Sequence, residues 1–188
     1  MTKILAYIKI LRPLNLTFCA ITVIISAFLC NNLGNYLTII QAIIVVISFA
    51  GASNVLNDIL DIKIDCKNQP QRPLPSQAIT IKSSYFYMII LYLVGIFTTF
   101  YLNKLAAIMA LIVVLPVLIF YTSYLKKIAI LGNISIASML GMVFLFSESA
   151  LLGKVEKLWT PALLAFGINL IRELIKDIAD IEGDKIGG

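Results

Sequence analysis

Asn54, Asp58, Asp61 and Asp65 close a long apolar run at spacings of i, i+4, i+7 and i+11. Each helical residue advances about 100°, so the four share one face. Glu173, Asp177, Asp180 and Asp184 repeat that spacing, each 119 residues further on, at the end of a second apolar segment. Eight of the ten acidic residues lie in the two stretches that carry these sets, Glu182 being the eighth. Ionisable groups at the edge of hydrocarbon are costly unless paired, hydrated or metal-bound, which makes them functional candidates. Solvated helix ends would explain one set. Two sets matched at four positions point to a shared task.

The residue types narrow the chemistry. The chain has no histidine, which excludes His-based triads and H-E-x-x-H zinc sites. Cys19, Cys30 and Cys66 show no ligand spacing. Cys19 and Cys30 read as small buried hydrophobes, and no disulfide framework is indicated. Aligned carboxylates alone suit a hard cation such as Mg²⁺, which uses one or two carboxylates together with substrate phosphates. Two such faces across a cavity would grip a diphosphate and stabilise it as a leaving group. Between apolar helices the attached group would be a long isoprenoid. Ionisation of an allylic diphosphate leaves a carbocation that an acceptor captures, so no strong protein nucleophile is required.

The elements that must position these groups are membrane helices. Of the 188 residues, 60% are hydrophobic and 13% charged, about half the usual charge of a soluble domain, and the mean hydropathy is +0.97. Several runs reach the roughly 20 residues needed to cross a bilayer. The expected fold is an all-α transmembrane bundle in one domain, 1–188. Residues 1–13 read as an interfacial amphipathic helix, and no cleavable signal peptide is expected. Spans are expected at roughly 15–30, 37 into the first acidic set, 84–101, 105–123 and 130–152, with a sixth from Trp159. A loop from Lys67 to Ser76 holds three prolines within six residues and cannot be helical throughout. The N-terminus, the 2–3 and 4–5 loops and the end of the sixth span hold twelve of the fifteen Lys and Arg. That bias predicts an integral cell-membrane protein with its N-terminus and acidic sets cytoplasmic. Glu148 reads as an interfacial polar residue at the outer end of the fifth span. Tyr85, Phe86 and Tyr87 read as an interfacial belt.

The strings themselves resemble the UbiA superfamily of membrane prenyltransferases. Asn57, Asp58, Asp61 and Asp65 match its N-D-x-x-D-x-x-x-D form, followed by R-P-L-P-S from Arg72 to Ser76. The stretch from Arg172 to Lys185 is similar to the second motif, in the form found in the ether-lipid branch. Arg12-Pro13 with Asn15 resembles an R-P-x-N before the first span, and Tyr121, Lys126, Gly132 and Asn133 resemble a later loop.

The resemblance covers essentially the whole chain and implies a Mg²⁺-dependent enzyme. Asp58, Asp61, Asp65, Asp177, Asp180 and Asp184 would hold Mg²⁺-diphosphate as catalytic and metal residues. Asn54 would orient the first set, Arg72 and Lys126 would contact phosphate oxygens, and Arg12 and Asn15 are further candidate substrate contacts. The implied partners are geranylgeranyl diphosphate, a prenyl acceptor and membrane lipids, with no nucleic acid. In the ether-lipid branch the acceptor is geranylgeranylglyceryl phosphate; an aromatic quinone precursor is the alternative. Nine spans are usual in the family, so about six helices are expected here, with part of the wall around the prenyl chain missing. From other classes, a divalent-cation transporter and a non-catalytic polyprenyl-diphosphate binder stay open.

Overall fold

The computed structural model describes residues 2–186, with the side chains of residues 127, 129 and 179–186 outside the described set. Every regular element among the described residues is helical. The first is α1 (Lys3–Ile10), set at 52° to α2 (Pro13–Leu29). Pro13 opens α2, where its missing N–H costs nothing and its fixed φ suits the first turn. The bend is made at Arg12, whose φ of 56° and ψ of 66° are left-handed. For a residue with a Cβ that conformation costs about 1–2 kcal/mol.

α3 (Tyr36–Leu60) is capped by Asn35 and ends at Asp61, which joins it to the short α4 (Ile62–Asn68). The proline loop follows, and α5 (Ile81–Thr99) starts at Thr80, whose hydroxyl accepts from the Ser83 N–H at 3.1 Å. The next span, Lys104–Ser123, is not uniform. It passes from α6 (Lys104–Ile108) through a π-helical stretch, Met109–Val114, into α7 (Leu115–Ser123). Pro116 lies just beyond the stretch; it has no N–H for the ladder, and a π register is one way of absorbing that. A 3₁₀ turn, Leu125–Lys127, leads to α8 (Ala129–Leu152), which Gly153 ends with a φ of 69°. The last element is α9 (Trp159–Ile186).

Four helices among the described residues are long and apolar enough to cross a membrane, and the bent α1–α2 pair adds a fifth. All five correspond to expected spans. The sixth, α9, is outside that group because its apolar half gives way at Arg172 to the second acidic set.

Two clusters organise the packing. Towards one end, Val23, Ala27, Ala42, Val45, Phe49, Ala106, Ala110 and Phe146 bring α2, α3, α6, the π-helical stretch and α8 together. The alanines matter because lipid is as apolar as leucine, so close backbone approach rather than water exclusion drives helix association. At the acidic end, Ala6 and Ile10 of α1 pack with Val55 and Ile59 of α3 and with Leu74 and Ile79 of the proline loop. That cluster anchors a loop with little regular structure.

Glu148 does not behave as expected. It is fully buried, and its carboxylate accepts backbone N–H groups of Glu156, Lys157 and Leu158 at 2.7–2.9 Å. An interfacial side chain would hydrate instead; this one closes the α8–α9 connection. Nearby, Asn103 donates to the Ser149 and Ala150 carbonyls, and Asn32 to that of Leu151. The unsatisfied C-terminal carbonyls of α8 are therefore met by two other loops.

Candidate functional site

The acidic end is assembled from segments far apart in the sequence. α3 delivers Asn54, Asn57 and Asp58; Asp61 sits at the break, and α4 carries Asp65. A straight helix would separate Asp58 and Asp65 by about 10.5 Å along its axis. With the break at Asp61, the Arg72 Nη1 lies 2.7 Å from Asp65 Oδ2 and 3.7 Å from Asp58 Oδ1. Asp58 is the more deeply set, only 4% exposed, and also accepts from Arg12 Nη2 at 2.7 Å. Asp61 turns to the other edge, where Lys126 Nζ lies 2.6 Å from it and 3.0 Å from the Asn57 amide oxygen. The shared face expected from spacing is thus resolved into two edges, each facing its own cations.

Each cation is placed by a distinct local device. Arg12 is aimed by the left-handed corner, which Asn54 holds by donating from Nδ2 to the Leu11 carbonyl at 2.8 Å. Asn54 therefore supports the corner instead of facing open space. Arg72 is carried by the loop that buried Pro73 and Leu74 anchor. Lys126 comes from the 3₁₀ turn after α7.

In the second acidic set, Asp177 is held across to the neighbouring helix. Its Oδ2 accepts from Asn133 Nδ2 of α8 at 2.6 Å. Tyr121 of α7 lies within electrostatic reach of Arg12, Asp61, Glu173 and Asp177 together. Glu173 has Lys176 at 3.5 Å. Both sets therefore border one region. The side chains of Asp180 and Asp184 lie outside the described residues.

The UbiA prenyltransferase family profile matches residues 19–188. The chain belongs to the UbiA prenyltransferase family. It is 35% identical over 182 residues to digeranylgeranylglyceryl phosphate synthase of Methanothermobacter thermautotrophicus, covering 97% of this chain and 63% of that protein. The protein of the same name from Methanosphaera stadtmanae is 37% identical over 180 residues, covering 95% and 64%. A solved structure, described as giving structural and mechanistic insights into digeranylgeranylglyceryl phosphate synthase in membranes, matches with a TM-score of 0.81 at 33% identity. That match covers 98% of this chain and 66% of the other. The chain spans slightly under two thirds of the length of these relatives. Its helical architecture is that of a UbiA-type membrane bundle, and it is a multi-pass membrane protein.

Within this UbiA chain, Asp58, Asp65, Arg12 and Arg72 meet in one ion-pair network, and Asp61 with Lys126 forms a second pair on the other edge. Asn15 is different: it is exposed on the first turn of α2, with no side-chain hydrogen bond among the described residues. Asn57, Asn133 and Tyr121 join the site without having been singled out as site residues. Asn57 had a signal, lying four residues before Asp61 and so one helical turn from it. Asn133 is an amide near the start of an apolar helix, a placement that calls for a partner.

Proposed function

We propose that this chain binds the Mg²⁺ complex of a prenyl diphosphate and transfers a geranylgeranyl group to geranylgeranylglyceryl phosphate. The supporting observation is the interleaving of charge: three aspartates of one motif meet cations from three separate segments, with Asp177 bordering the same region.

The donor set fits Mg²⁺, since Asp58, Asp61, Asp65 and Asp177 offer only oxygen. Among the described residues no three acidic side chains form a metal cage. Mg²⁺ is typically held by one or two carboxylates plus substrate phosphates. Asp180 and Asp184 complete the proposed ligand set. Bound Mg²⁺ would neutralise the departing diphosphate. Arg72 and Lys126 exchange their carboxylate partners for diphosphate oxygens, and Arg12 steadies Asp58. The C1–O bond breaks with its electron pair on the diphosphate. The acceptor hydroxyl oxygen then bonds to C1 and its proton is released, which gives an ether. The apolar helices hold the chain and keep water from the cation. We place this end at the cytoplasmic face, on the lysine and arginine bias.

The test is transfer from labelled geranylgeranyl diphosphate in membranes, using this chain and any longer form of its gene product. Geranylgeranylglyceryl phosphate and an aromatic acid are offered separately. Product with the glyceryl phosphate alone, lost with chelator and restored by Mg²⁺, is expected. Product with the aromatic acid alone would reassign the acceptor. Divalent-ion uptake into sealed vesicles without diphosphate would replace the reading with transport.

A further inference from the structure

Eight helical residues extend about 12 Å, so α1 is too short to cross a bilayer, and it meets α2 at 52°. Its inner side is filled: Ala6 and Ile10 pack on Val55 and Ile59 of α3 and on Leu74 and Ile79 of the proline loop. Its outer side is apolar and uncovered. Ile4, Leu5 and Ile8 are exposed and, at about 100° per residue, fill an arc of about 100° opposite Ala6 and Ile10. Exposed Lys9 follows Leu5 about 40° further round, and exposed Lys3 stands at the open end of the helix. Among the described residues neither lysine forms an ion pair. Resting on the orientation given above, we propose that this face docks on an anionic lipid surface and that the docking holds the Arg12 corner in place.

Position and charge together select the partner. Tyr7 of α1 stands edge-on to Tyr87 of α5, with ring centroids 5.2 Å apart, and Tyr85 and Phe86 beside it are exposed. Aromatic side chains collect at the head-group level, so α1 lies where a leaflet carries its charged groups. At that level an apolar helix face enters the acyl boundary while lysines meet the head groups. Each lysine near an anionic leaflet favours attachment by about fivefold, a preference that a zwitterionic leaflet does not give. The three aliphatic side chains need hydrocarbon as well as charge, and an anionic lipid supplies both in one surface.

The corner links that surface to the site. Its left-handed residue is disfavoured by about five- to thirtyfold, and Asn54 holds it from inside through the Leu11 carbonyl. Two lysines on an anionic leaflet supply about 25-fold from outside, which lies in the same range. A docked α1 keeps Arg12 Nη2 at 2.7 Å from Asp58. A loose α1 lets the corner relax, and Asp58 loses that partner.

The experiment measures amide exchange of residues 3–10 and Mg²⁺-pyrophosphate affinity, with this chain in nanodiscs of phosphatidylcholine alone or mixed with phosphatidylglycerol. In the anionic discs exchange should slow by about 25-fold and return to the zwitterionic value in high salt. Lys3→Gln should remove about fivefold of that protection and about fivefold of pyrophosphate affinity, in anionic discs only, and Lys3→Arg should restore both. Comparing variants within one membrane removes the leaflet's own repulsion of pyrophosphate. Lys3 is exposed and nine residues from Arg12, so folding is not at risk. Equal exchange in the two membranes would overturn the proposal, as would a Lys3→Gln chain that keeps the full lipid effect. Slower exchange with pyrophosphate affinity unmoved by Lys3→Gln would overturn the link to Arg12. Lipid-dependent exchange in a chain that binds no pyrophosphate in either membrane would sink the diphosphate reading and leave the docking face supported.

Discussion

Two carboxylates are buried at opposite ends of this bundle, and their partners differ in kind. Glu148 is held by three backbone N–H groups of the α8–α9 loop. Asp58 is held by the side chain of Arg12, with Arg72 at 3.7 Å. Backbone amides cannot leave Glu148 unless the loop unfolds. Arginine side chains can rotate away, and Arg12 and Arg72 are 35% and 24% exposed, so water can take over when they do. A buried acid with backbone partners fixes structure; one with side-chain partners can exchange them for a ligand. Burial alone would not have separated the two.

The sharpest break in this comparison is at Asp58. In the active enzyme Asp58→Asn should lower prenyl transfer by on the order of a thousandfold, as expected when stabilisation of a developing charge is lost. Thermal unfolding should shift little, because the released arginines hydrate. Unfolding as severe as that of a Glu148 variant would remove the distinction. Glu148→Ala strands three buried N–H groups and should cost about 3 kcal/mol in denaturant titrations, with diphosphate affinity per folded molecule unchanged. Glu148→Gln, which retains an accepting oxygen, should recover part of that loss.

Gly141→Ala joins the two regions. A Cβ there would stand 2.8 Å from the Ala162 carbonyl oxygen, so α9 must move away from α8 at a cost of about 1–3 kcal/mol. Since α9 carries Asp177, diphosphate affinity should fall as well, and isothermal titration would show both changes in one protein. The smallest effect is expected from Lys126→Met: about a tenfold loss of Mg²⁺-diphosphate affinity, near 1.4 kcal/mol, with stability almost unaltered. A tenfold loss at Lys126 without a loss at Asp58 would invert the proposed order of the two edges.

Much of the scaffold was legible because membrane helices are long and uniformly apolar. The expected first five spans and the interfacial helix correspond to α2, α3, α5, the Lys104–Ser123 span, α8 and α1. The short α4 was not anticipated, since seven residues beyond a charged motif carry little periodic signal. The acidic sets were legible because charge is rare in such a chain. Glu148 was misread because the amides that hold it come from a loop 8–10 residues further on, and a backbone donor leaves no mark in residue type.

By itself, the sequence determined the class of fold, the identity of the charged groups and the helical spacing that brings Asp58 and Asp65 to one side. These follow from local periodicity and the cost of charge in hydrocarbon. Only the tertiary structure decided which cation meets which acid. Arg12, Arg72 and Lys126 lie 46, 7 and 65 residues from their partners. A left-handed corner, a proline loop and a 3₁₀ turn bring them there, and each depends on how the helices pack around it.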